Sequence, residues 1–144
     1  MKLISEKLKQ FNYLTSEIDA VYHKAALKFG LSDSAMMILY AVCSNGESSP
    51  ISDIYKLFGV RKQTINSALR KLEAEGIVYL ELLQGKKKNI RLTEKGKMLA
   101  ENTVVRLIRA ESDILNSWPK SEWEQYIGLT KRYLTAFQDK IGEF

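Results

Sequence analysis

The chain is almost without the two side chains that do most metal and redox chemistry. Cys43 is its only cysteine and His23 its only histidine in 144 residues. A single cysteine excludes an intrachain disulfide and fits a reducing compartment. One cysteine and one histidine cannot build the usual transition-metal ligand sets, so no metal site is expected. Proline is as scarce, with two residues, so long helices are expected. No apolar run approaches the roughly eighteen residues needed to span a bilayer. The N-terminus, Met1-Lys2-Leu3-Ile4-Ser5-Glu6, becomes charged too early for the apolar segment of a secretion signal. A cytoplasmic chain with no membrane association is the expectation. Catalytic patterns are missing too: there is no Gly-rich phosphate loop, no nucleophile elbow and no carboxylate pair at motif spacing. The sequence therefore reads as a non-enzyme with no cofactor.

What is present is a length that suits one domain with its own core, and an uneven charge. The net charge is +5. Between Arg61 and Arg91 lie Arg61, Lys62, Arg70, Lys71, Lys86, Lys87, Lys88 and Arg91, opposed only by Glu73, Glu75 and Glu81. That segment alone carries the whole excess, and its flanks sum to zero. A localised basic footprint suits a polyanion.

Periodicity gives mainly helix. A first helix is expected from about Ile4 to Phe29, with Ile4, Leu8, Phe11, Ile18, Val21, Ala25 and Phe29 on one face. Gly30 fits its C-terminal stop. Ser32 suits the N-cap of a second helix that buries Ala35, Ile38, Leu39 and Val42 and ends at Ser44-Asn45-Gly46. Ser49-Pro50 reads as the N-cap and first position of a third helix with Ile51, Ile54 and Phe58 inward. Gly59 turns the chain and Val60 fills the corner. A fourth helix, about Arg61 to Glu75, follows at the spacing of a helix-turn-helix. Gly76 stops it. Ile77 to Leu82 and Asn89 to Leu92 form a strand pair around Gln84-Gly85, with the tip at Gly85-Lys86-Lys87-Lys88-Asn89. Thr93 caps a fifth helix, read as continuous from Glu94 to Asn116. Ser121 with Glu124 matches a capping box for the last helix, which carries Trp123, Ile127, Leu134, Phe137 and Ile141 on one face.

The fourth helix is the informative one. Ile65, Ala68, Leu69 and Leu72 form its apolar face, and Gln63, Asn66, Ser67, Arg70 and Ala74 form a second stripe. Amide, hydroxyl and guanidinium groups are the side chains that read base edges in a major groove. Gln63, Asn66, Ser67 and Arg70 are the base-reading candidates. Ser49, Ser52, Arg61, Lys62, Thr64, Lys71, Lys86, Lys87, Lys88 and Arg91 are the candidates for phosphate contact. The fold class implied is mainly α with a small β-hairpin wing. Residues 32–93 would be a winged helix-turn-helix lobe, and residues 1–31 and 94–144 a helical body. The apolar stripes of the first, fifth and last helices exceed what a small lobe can cover, so a homodimer is expected.

The order of these motifs resembles the MarR family of bacterial winged-helix regulators over nearly the full length. The resemblance rests on Leu31-Ser32, on Ser49-Pro50-Ile51-Ser52-Asp53-Ile54, on Val60 through Val78, and on Leu92-Thr93-Glu94-Lys95-Gly96. It implies a single MarR-like domain over 1–144, and an obligate homodimer that represses or activates promoters through double-stranded DNA, often released by a small-molecule effector or an oxidant. Repression is the expected sign, on a near-palindromic operator. Many members carry an Asp-Arg-Arg-type motif in the wing. This tip has neither Asp nor Arg, and its lysines suit phosphates. The redox-sensing branch has its reactive cysteine in the first helix, where this chain has none. Cys43 is expected to be a buried structural thiol. Tyr13, Tyr22, Tyr40 and Trp118 are aromatic enough to line an effector crevice, although aromatics at helical spacing are more often core. The alternative function is a winged-helix module that binds protein and not DNA. The concentrated basic excess separates the two, because protein docking has no need of it.

Overall fold

The computed structural model describes residues 4–58, 62–83, 85 and 87–144, without the side chains of Leu57, Phe58, Leu83 and Lys87. Gly59, Val60, Arg61, Gln84 and Lys86 therefore lie outside the described residues, as do the side chains of Phe58 and Lys87. The chain forms two compact units, Met1–Ile108 and Arg109–Phe144.

In the first unit, α1 (Glu6–Phe29) starts at Ser5, whose hydroxyl accepts from the Leu8 N–H, and stops at Gly30, which is left-handed at φ 68°. The Leu31 N–H returns to the Ala26 carbonyl, so the stop expected at Gly30 is formed. α2 (Asp33–Ser44) is capped by Ser32 as its sequence predicts. It is the core helix: Ala35, Met36, Ile38, Leu39, Ala41 and Val42 are all buried. α3 (Ile51–Phe58) and α4 (Lys62–Ala74) pack on it, with Ile54, Ile65, Leu69 and Leu72 inward. β2 (Val78–Leu83) and β3 (Lys87–Leu92) make the antiparallel pair of the wing, and α5 (Glu94–Asn102) follows.

Four local expectations are corrected. Ser48–Pro50 is a third strand, β1, pairing antiparallel with β3 so that Ser49 faces Ile90. Ser49 is thus not the cap of α3. Its hydroxyl donates to the Pro50 carbonyl and accepts from Asn45 Nδ2. The helix read as continuous from Glu94 to Asn116 breaks at Thr103, giving α5 and α6 (Val104–Asn116). The buried Thr103 hydroxyl bonds the Leu99 carbonyl at 2.7 Å, a back-bond that bends helices. Lastly, α7 (Lys120–Gly142) begins one residue before Ser121, with Pro119 at the cap and no side-chain cap bond. Glu124 pairs instead with Lys120, at 3.6 Å.

The second unit, residues 109–144, is mainly α7, which has no buried residue. Trp118 meets Tyr126 edge-on at 5.5 Å between ring centroids. Among the described residues no single helix is long and apolar enough to cross a membrane. α1 and α2 pass on composition only as a pair bent by 94°, and α2 is the buried centre of the core.

Candidate nucleic-acid interface

The apolar face of α4 is buried against α2, and most of its remaining residues face outward. Gln63, Thr64, Ser67, Arg70, Lys71 and Ala74 are all exposed. Gln63 and Arg70 make no side-chain hydrogen bond or ion pair with any described residue. The Ser67 hydroxyl donates to the Gln63 carbonyl at 3.0 Å, which leaves only its acceptor side free. An exposed guanidinium and an exposed amide with no partner among the described residues have donors to offer an external one.

Asn66 behaves differently from the rest of its stripe. It is half-buried and turned toward α3, where the Tyr55 hydroxyl donates to its Oδ1 at 2.5 Å. Tyr55 also underlies Lys62, whose Nζ sits 5.4 Å from the ring centroid. Tyr55 is not among the site residues expected from sequence. A signal was present: it directly follows the inward Ile54, so it sits at the edge of the apolar face of α3 that borders the next helix.

The backbone candidates divide. Lys62, Thr64, Lys71 and Lys88 are exposed, and Ser52 is exposed in the first turn of α3. Ser49 is fully buried in the sheet and cannot reach a phosphate. Arg91 is half-exposed and pairs with Glu81 across the wing at 3.5 Å, so its charge is already partly balanced. Arg61 and Lys86 lie outside the described residues, and so does the Lys87 side chain.

The wing and α4 are held by a compact junction. Thr93 Oγ1 accepts from the Gly96 N–H at 2.9 Å and so caps α5. The same hydroxyl lies 2.6 Å from the Gly76 carbonyl and 3.1 Å from that of Ile77. Lys95 Nζ donates to the Glu75 carbonyl at 2.9 Å, where a cation suits the C-terminal end of α4. Gly96 itself lies against the Ile77 carbonyl so closely that a Cβ would overlap it. The Thr-x-Lys-Gly sequence is therefore the clamp on the end of α4.

A family model described as MarR family matches residues 29–88, which run from the end of α1 to the middle of the wing. That stretch, the helix-turn-helix and most of the wing, is similar to the MarR family. Among solved structures, a MarR family regulator from Neisseria meningitidis superposes with a TM-score of 0.82 at 18% identity, over 96% of this chain and 99% of that one. A MarR family regulator from Silicibacter pomeroyi gives 0.67 at 23% identity, over 88% and 86%. MepR of S. aureus, solved as a complex with DNA, gives 0.67 at 19% identity, over 93% and 98%. No curated protein matches the chain. At these identities the MarR-type likeness is one of fold.

The other candidates sit as follows. Tyr22 and Tyr40 pack against the core, while Tyr13 is exposed. Cys43 packs partly against the core, and burial, with Glu47 and Glu101 nearby, pushes its thiol up to about 11. His23 Nδ1 lies 2.9 Å from an Asp33 carboxylate oxygen, linking α1 to the start of α2.

Proposed function

We propose that this chain is a DNA-binding transcription regulator, acting as a homodimeric repressor on a near-palindromic operator and answering to a small-molecule effector. One observation carries the reading: the outward face of α4 presents Gln63 and Arg70 without side-chain partners among the described residues, flanked by the exposed Lys62 and Lys71. Guanidinium and amide groups on a helix that can enter a major groove are base-reading chemistry, and the flanking cations suit phosphates. The fold shared with MepR, which was solved bound to DNA, supports a DNA-binding reading. The homodimer is supported by the half-exposed apolar residues Leu8, Phe11 and Ile18 of α1, and Leu134, Phe137 and Ile141 of α7. For the effector, the second unit offers an open hollow of about 440 Å³ lined by Leu115, Trp118, Lys120 and Trp123.

Selection from random duplex DNA, followed by gel shift at several salt concentrations, tests the reading. The expected result is a near-palindrome with half-sites about one helical turn apart, bound with an affinity that falls steeply with salt as counterions are released. Arg70→Ala should cost about 1–3 kcal/mol and relax preference at one position in each half-site. Binding that selects no sequence and ignores salt would turn the choice to the protein-docking module.

A further inference from the structure

Among the described residues, Asn66 is the one member of the polar stripe whose side chain is engaged by a side chain of another helix. Its Oδ1 accepts from the Tyr55 hydroxyl. Its Nδ2 has no partner among the described residues. Asn66 also shares a helical row with Lys62 and Arg70, four residues to either side. The Tyr55 ring supports Lys62 on that same row. One tyrosine of α3 thus sets two consecutive side chains along an edge of the recognition helix.

An asparagine reads adenine through both ends of its amide: Oδ1 accepts from N6 while Nδ2 donates to N7. Here Tyr55 takes one of the two lone pairs of Oδ1 and draws that end of the amide toward α3. Turning Oδ1 away from α3 to face adenine N6 would break that bond at a half-buried tyrosine, and a polar group that loses its partner is destabilising. Guanine makes no such demand. Its major-groove edge offers two acceptors, O6 and N7, and a free NH2 group can serve either. We propose that Tyr55 is a specificity-determining positioning residue: by holding Oδ1 of Asn66 toward α3 it turns the NH2 end of that amide outward, so that Asn66 reads guanine in preference to adenine. This rests on the DNA-binding reading above.

The test is the same random-duplex selection run with the full chain as wild type, Tyr55→Phe, Asn66→Ala and the double variant. Phenylalanine keeps the ring beneath Lys62 and removes only the hydroxyl. Wild type should select guanine at one position of each half-site, and Asn66→Ala should lose preference at that position alone. Tyr55→Phe should raise the adenine-to-guanine ratio there by roughly tenfold, the scale of one bidentate contact, with the other positions and the salt slope unchanged. In the Asn66→Ala background, Tyr55→Phe should change nothing further. Identical base preferences in wild type and Tyr55→Phe would overturn the proposal, as would adenine at the Asn66 position in wild type. A wild type that selects no sequence would overturn the DNA-binding reading and this inference with it.

Discussion

At the scale of single residues, the structure separates side chains that look alike in sequence. Cys43 is the only thiol, yet it is a poor candidate for oxidant sensing, because burial and two nearby carboxylates hold it protonated up to about 11. The thiolate is the reactive form, so alkylation at pH 7.5 should be far slower than for a free cysteine peptide. The pH dependence has a definite sign. A thiol raised from 9.0 to about 11 holds its proton more tightly in the native state. Its stabilisation is complete below about pH 9 and is lost as pH rises toward 11. Urea unfolding should show this decline in wild type and less of it in Cys43→Ala. Glycines separate in the same way. A methyl group at Gly96 would overlap the Ile77 carbonyl oxygen, a backbone atom that cannot swing aside, whereas one at Gly128 meets open space. Gly96→Ala should destabilise by about 2–3 kcal/mol through overpacking. Gly128→Ala, inside α7, should stabilise by about 0.5–1 kcal/mol. Thermal unfolding of the pair decides whether the clash or helix propensity governs each site.

Elements are held by their ends as much as by their faces. The end of α4 is closed by its own turn, where the Ile77 N–H reaches the Leu72 carbonyl at 2.9 Å, and then by α5 through Thr93 and Lys95. If α4 presents its side chains to a DNA groove, as proposed, this double closure holds it in place. Thr93→Val keeps the shape of the side chain and removes both the α5 cap and the bond to Gly76. It should cost about 1–2 kcal/mol of stability, the upper part of the range for a lost N-cap. Hydrogen exchange should show the loss concentrated at the Gly96 and Ile77 amides. Uniform loss of protection across α1 would instead mean that the junction is not a local clamp.

For the whole molecule, the prediction is assembly. Leu8, Phe11, Ile18, Leu134, Phe137 and Ile141 are each 42–54% exposed, and side chains of this kind gain about 25 cal/mol for each Å² of apolar surface removed from water. A second copy supplies a matching surface at no cost in new sequence, through a two-fold axis. Light scattering at micromolar protein should give a mass near twice 16.5 kDa. The melting temperature should rise with protein concentration, as it does when folding and association are linked. Phe137→Glu should shift the mass toward the monomer. A wild-type mass of 16.5 kDa would remove the homodimer.

The sequence by itself determined whatever depends on neighbours a few positions away. The caps at Ser32 and Thr93, the stop at Gly30, the inward face of α4 and the strand pair of the wing were all legible, because each is set by periodicity or by a side chain bonding within a turn of itself. Tertiary structure decided what depends on distant partners. Ser48-Ser49-Pro50 has no strand composition of its own and becomes one only by lying beside Ile90 and its neighbours. Ser49 is lost to the interface for the same reason. The α5–α6 break follows from burying Thr103 and Val104 in a packed core, which the spacing of apolar residues does not register. Asn66 leaves the stripe that helical geometry assigns it because Tyr55, eleven residues earlier on another helix, offers it a hydrogen bond. Periodicity places a side chain on a face, but only the packing of a second element onto that face decides which of its atoms remain free.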